Sequence, residues 1–367
     1  MNPVYDQPFS FANGATLRNR IVMAPMTTWS GGDDGRLSPD ELAYYEARAG
    51  GVGMLITGTT YTVPNGRGFP GQFCGDDDRF IPGLTELAER IKSKGAKAVL
   101  QIFHAGRMSY PALTGNDVVS ASDVPAERPS AAHPRALADA EIEAIVASFG
   151  ETTRRAIAAG FDGVEIHGAN TYLIQQFFSP HSNRRADRWG GSLEARARFP
   201  LAVVDAVLNA VKAHADKEFI VGYRFSPEEI ENPGITLDDT LYLVDRLAEK
   251  ELTYLHVSLG RFDQTSQRDK SDQRIVGQVV HQHLKGRLPL IGVGGVKIAD
   301  DLPQAFDTGY ELVAIGRALV AEPQWVEKAR AGEKIVPTIS MEKRIEKCVP
   351  EKMIEVMKMF FPDAVEG

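Results

Sequence analysis

The chain has 367 residues, 43% hydrophobic and 25% charged, with 41 basic and 49 acidic side chains giving a formal charge of -8. That composition supplies apolar material for a large core and argues against disorder, while the acidic balance removes any global attraction for nucleic acid or an anionic membrane surface. Cys74 and Cys348 are the only cysteines and lack metal-type spacing, so neither a disulfide framework nor a zinc site is indicated and a reducing cytoplasm fits.

The N-terminus lacks a basic start followed by an apolar core, and no later segment is apolar over a bilayer's thickness, so neither a leader nor a membrane span is expected. Short apolar runs that close in Gly, Ser, Thr or His then recur and read as strands: IVMAPM (21–26), MLITGTTY (54–61), AVLQIFH (98–104) and GVEIHG (163–168). Four more follow: FIVGYRFS (219–226), YLHVSLG (254–260), PLIGVGG (289–295) and LVAIGRA (312–318). Between them the periodicity is helical. In PGLTELAERIKSKG (82–95), Leu84, Leu87, Ala88 and Ile91 share one face and Gly95 can close the end. The segment 192–215 opens with Ser192 as N-cap and Glu194 in its first turn, and Pro200 is expected to kink it.

Eight β-then-α units without a linker or composition break predict an α/β fold: a closed (β/α)8 TIM barrel forming a single domain over 1–367, in preference to an open doubly wound sheet. Residues 104–137 are too long and irregular for a simple connection and read as an excursion after the third strand, either a lid or substrate wall or a passive surface insertion. Residues after the last strand run read as a helical tail packed on the barrel.

In such a barrel the chemistry sits at the C-terminal strand ends. The GVGG and IGRAL ends are candidates for a phosphate site, with backbone amides exposed by glycine and Arg317 as a cation, although the same glycines could simply allow tight turns. Arg224 is sharper: a guanidinium within FIVGY is costly to desolvate unless an anion or strong acceptor meets it, an internal salt bridge or a solvent-facing end being the alternatives. In HGANTYL (167–173), His167 and Asn170 could hold one carbonyl oxygen and Tyr172 could offer a proton; taken singly, each also reads as a packed histidine, a turn former and a core aromatic. The loop 179–191 carries Arg184, Arg185 and Arg188 beside Trp189, read first as a solvated, structure-closing loop and second as a contact for an anionic cofactor.

Together APMTTWS, QIFHAGR, HGANTYLIQQFFSPHSNRRADRWGGSLEARARF, GVGG and AIGRALVAEPQW resemble the Old Yellow Enzyme family, FMN-dependent ene reductases and NAD(P)H:flavin oxidoreductases, over nearly the whole chain. The resemblance implies that Pro25, Met26, Thr27 and Thr59 lie along the isoalloxazine, Gln101 bonds its pyrimidine edge, Arg224 sits near N1, and Gly294, Gly316 and Arg317 bind the FMN phosphate. It also implies that His167 and Asn170 grip the carbonyl of an α,β-unsaturated substrate, that Tyr172 protonates its α-carbon, and that NADH or NADPH donates hydride in a ping-pong cycle. An NAD(P)H:flavin reductase or NAD(P)H oxidase is the alternative activity. One bacterial branch carries cysteine where this chain has Thr27, and longer relatives add an iron-sulfur cluster that Cys348 alone cannot hold. The oligomeric state stays open, a homo-oligomer included.

Overall fold

The computed structural model describes residues 3–366. Eight parallel strands close into a barrel in chain order: β1 (Ile21–Met23), β2 (Met54–Tyr61), β3 (Lys97–Phe103), β4 (Gly163–Gly168), β5 (Ile220–Phe225), β6 (Tyr254–Val257), β7 (Leu290–Val293) and β8 (Leu312–Ile315). Strand β8 returns to β1 with Val313 opposite Ile21, so the barrel itself has no open edge. The helices are α1 (Pro39–Arg48), α2 (Ile81–Ser93), α3 (Asp139–Ala158), α4 (Leu173–Phe178), α5 (Leu193–His214), α6 (Leu237–Ala248), α7 (Val276–Leu284), α8 (Leu302–Asp307), α9 (Arg317–Ala321), α10 (Trp325–Ala331) and α11 (Glu351–Phe360).

Strand alternation divides the interior into two cores. Outward members such as Leu100, Ile102, Val164 and Ile166 belong to the large cluster shared with the surrounding helices. Inward members such as Val22, Met54, Val99, Ile220 and Leu312 fill the barrel, closed at the bottom by Phe11, Ala15 and Leu17 of an N-terminal hairpin. Helix α2 buries the predicted face, Leu84, Leu87, Ala88 and Ile91, and Gly95 follows it at φ +90°. Each large aliphatic side chain on that face contributes roughly 2 kcal/mol by leaving water, so Leu87→Asp would detach the helix. Ser192 caps α5 by accepting from the Ala195 N–H at 3.1 Å. Pro200, expected to kink this helix, lies buried inside it and does not end it, since packing of the helix onto the barrel outweighs one lost backbone bond.

The excursion forms two 3-10 turns, Gly106–Met108 and Pro111–Leu113, and a parallel two-residue ladder, Val119–Ser120 with Arg135–Ala136. It is tied to the C-terminal end of the barrel, because Gln176 of α4 accepts from the Arg107 N–H at 3.0 Å and from Ser120 Oγ at 2.9 Å. In the tail, α11 buries Met353, Ile354 and Met357. The fully buried Arg48 guanidinium ties the tail down by donating to the carbonyls of Lys347 and Cys348 as well as those of Leu319 and Val320. Among the described residues no helix is long and apolar enough to cross a membrane.

Candidate active site

Above the apolar filling, the inward positions turn polar. Gln101, Glu165, His167, Arg224, Tyr254 and His256 occupy alternate positions on β3 to β6, with His167 in register with Arg224 and Arg224 with His256. His167 Nδ1 accepts from the Ala169 N–H at 3.3 Å, which leaves the proton on Nε2. Burial, reinforced by Arg224 and His256, holds its pKa well below the usual histidine range. His167 is therefore a neutral donor at the end of β4.

The chain then makes a strained turn. Asn170 and Thr171 both lie in the left-handed region, at φ 56° and 65°, uncommon for a residue with a Cβ and more so for a β-branched one. The Asn170 N–H donates to Ser226 Oγ, and Ser258 Oγ donates to Asn170 Oδ1, each at 2.8 Å, so the side-chain NH2 remains available. Two consecutive glutamines of α4 hold the turn by its backbone. Gln175 Oε1 accepts from the Thr171 N–H at 2.9 Å while its NH2 donates to Glu229 at 2.7 Å; the Gln176 NH2 donates to the Thr171 carbonyl at 2.7 Å and to that of Ala105 at 3.1 Å.

Tyr172 leaves this turn as the N-cap residue of α4. Its ring meets Phe103 edge-on at 4.5 Å and His167 at 5.1 Å between centroids. Burial pushes its phenol pKa up, against smaller opposing effects of Arg128 and Arg224, so it keeps its proton at neutral pH. The structure thus brings His167, Asn170 and Tyr172 to one mouth.

Arg224 is 8% exposed and buried at Nε, where it has no partner; among the described residues its guanidinium makes no hydrogen bond. Such a group demands an acceptor. Beneath it, Glu165 accepts from Gln101 Nε2 at 2.7 Å, Tyr254 OH at 3.0 Å and His256 Nδ1 at 2.9 Å. Burial acts to raise the Glu165 pKa, but His256, Arg224 and Gln101 outweigh it and hold the carboxyl below the usual range. His256 is lowered by burial first and by Arg224 next, against the pull of Glu165, so the pair is a carboxylate with a neutral imidazole.

At the neighbouring strand ends, Thr27 and Thr59 hydroxyls lie 3.3 Å apart, and Gln72 Nε2 donates to Thr59 Oγ1 at 2.7 Å. A Cβ added at Gly316 would lie 3.3 Å from Met26 Sδ, which places the end of β8 against that of β1. Gly294 follows β7 at φ +106°, and a Cβ there would come within 2.6 Å of the Gly260 carbonyl carbon, so only glycine fits. Arg317 opens α9 with its guanidinium 4.7 Å from the Phe361 ring of the tail.

Residues 6–335 match the family described as the NADH:flavin oxidoreductase / NADH oxidase family. The chain belongs to this family. It is 47% identical over 351 residues to the NADH:fumarate oxidoreductase of Klebsiella pneumoniae (strain 342), covering 95% of this chain but 38% of that relative, so it spans well under half of that protein. It is 47% identical over 345 residues to the probable NADH-dependent flavin oxidoreductase YqiG of Bacillus subtilis (strain 168), covering 92% of each chain. The solved structure of morphinone reductase superposes with a TM-score of 0.77 at 28% identity, covering 91% of each chain.

The family's description implies FMN as the cofactor and a nicotinamide as the donor. The residues of this chain fit the cofactor. The unsatisfied Arg224 guanidinium suits an anionic ring edge, Gln101 retains a free carbonyl acceptor once its NH2 is engaged by Glu165, and the glycines after β7 and β8 leave backbone open where a phosphate binds in barrels. The arginine loop is structural: Arg185 pairs with Asp187, and Arg188 with Asp139 and Glu143. Lys97 pairs with Asp162 at the opposite end of the barrel, and no group of three or more His, Cys, Asp or Glu among the described residues could hold a metal. Sequence reasoning passed over Glu165, Tyr254 and His256, whose signal was a polar residue every second position inside an apolar strand. It also passed over Gln72, Gln175, Gln176 and Glu229, which carried none.

Proposed function

We propose that this flavoenzyme reduces the activated C=C bond of α,β-unsaturated carbonyl compounds with NAD(P)H, donor and acceptor using one pocket in turn. The observation that carries the reading is the pairing at one mouth of a neutral histidine donor with a phenol that stays protonated. Bound FMN supplies the hydride carrier between nicotinamide and substrate. His167 Nε2–H and the Asn170 NH2 hold the substrate's carbonyl oxygen and draw charge from its β-carbon; each such donor is worth roughly a hundredfold or more in rate. Tyr172 gives its proton to the α-carbon. Phe103 and Phe69 pack around its ring and keep the hydroxyl out of bulk water. The fumarate named for the Klebsiella relative is an alkene conjugated to carboxylates, which supports an acceptor of this class.

The test separates the half-reactions. Tyr172→Phe, mixed with NADH or NADPH under anaerobic stopped flow, should be reduced at the wild-type rate. After reduction, it should transfer to cyclohexenone about a hundredfold more slowly. Equal loss in both steps would remove the proton role. The family's description as NADH oxidases favours a second reading in which oxygen or free flavin is the acceptor. Reoxidation of the reduced wild type by oxygen much faster than by any enone or enal would select it.

A further inference from the structure

Glu165, Tyr254 and His256 lie below the mouth and take no part in gripping a substrate. The Glu165 and His256 side chains are entirely buried, as is Tyr254, and the carboxylate is saturated by three donors from two other strands. A buried carboxylate is retained at a cost that uncharged residues of the same size would avoid. Here it has one counter-charge within the barrel, Arg224 on the adjacent strand, and the two stand apart without a direct bond. The other titratable groups nearby are neutral: His256, Tyr254, whose phenol pKa burial and Glu165 push up, and His167 and Tyr172 at the mouth.

We infer that Glu165 is a positioning residue that sets the reduction potential of the cofactor. It accepts one N–H of the Gln101 NH2, which fixes the orientation of that amide and its carbonyl oxygen toward the ring, and it offsets the Arg224 charge that would otherwise act on the ring unopposed. The guanidinium favours the anionic reduced form of the flavin; the carboxylate behind it disfavours that form and holds the potential low enough for electrons to be passed on. This rests on the placement of the ring beside Arg224.

The experiment is a dye-equilibrated reductive titration of the FMN-loaded enzyme. Glu165→Gln should shift the reduction equilibrium at least tenfold toward reduced flavin, about 30 mV upward for a two-electron couple. Arg224→Gln should shift it downward, and the double variant should return toward wild type. Tyr254→Phe removes one bond to the same carboxylate but keeps its charge, and should stay within about threefold of wild type, near 15 mV. If Glu165→Gln does not fold, comparing Arg224→Gln with the double variant measures the same charge. FMN bound normally with an unmoved potential in both comparisons overturns the inference. So does an equal shift in Tyr254→Phe, which would assign the effect to packing. A wild-type protein that neither contains nor takes up FMN would overturn the cofactor placement itself.

Discussion

Thr171 offers the cleanest test of whether the turn after β4 is strained. A β-branched residue at φ 65° costs roughly 1–2 kcal/mol relative to a right-handed position, and glycine escapes that cost while losing about 0.5–1 kcal/mol more chain entropy on folding. The threonine side chain is half-buried and makes no hydrogen bond among the described residues, so little else is lost. Thr171→Gly should therefore lie within about 0.5 kcal/mol of wild type or above it, and about 1 kcal/mol above Thr171→Ala, which keeps the Cβ clash. Urea unfolding of the three proteins, with FMN saturating and again after its removal, separates this difference from cofactor linkage. Because Gln175 and Gln176 hold the peptide and not the side chain, alkene reduction by the glycine variant should remain close to wild type. An alanine variant as stable as the glycine one would show that the left-handed turn carries no strain.

Gln176→Leu should cost about 3 kcal/mol or more in urea unfolding, since it strands the Thr171 and Ala105 carbonyls, the Arg107 N–H and the Ser120 hydroxyl in a buried place; a smaller loss would mean the site relaxes. His167→Ala should weaken binding of a phenol, whose phenolate imitates the substrate's carbonyl oxygen, and unchanged spectral titrations would rule out His167 as the donor. Glu41 is buried beside the β1 loop, and burial raises its pKa from 4.5 to about 7 despite hydrogen bonds from the Thr28 hydroxyl and the Ser38 N–H. A raised folded pKa gives stability that is full below pH 4.5 and lost as pH rises toward 7, by up to about 3 kcal/mol; Glu41→Gln should flatten that fall, and parallel pH profiles would refute it. Arg48→Met removes the donors that hold four carbonyls across two segments, and should destabilise by about 3 kcal/mol and expose the tail to proteolysis first.

The parts of the molecule that could be read from residue order are those whose physics is local. A strand buried on both faces must be continuously apolar, so all eight runs stood out and close into the barrel as one circuit. His167, Arg224 and Tyr172 stood out for the complementary reason, as polar or aromatic groups placed where such a strand ends. What escaped is set by register. Gln101 and Glu165 are 64 residues apart, and Glu165 and His256 are 91 apart; they meet because each points into the closed barrel. The left-handed turn at Thr171 escaped too, since threonine is the residue that local propensity would least place there. These omissions share a cause: residues that oppose local preference persist where distant partners overdetermine them. A carboxylate inside a barrel strand thus points to a charge on the neighbouring strand, and where that charge has no bond of its own, to a ligand that completes it.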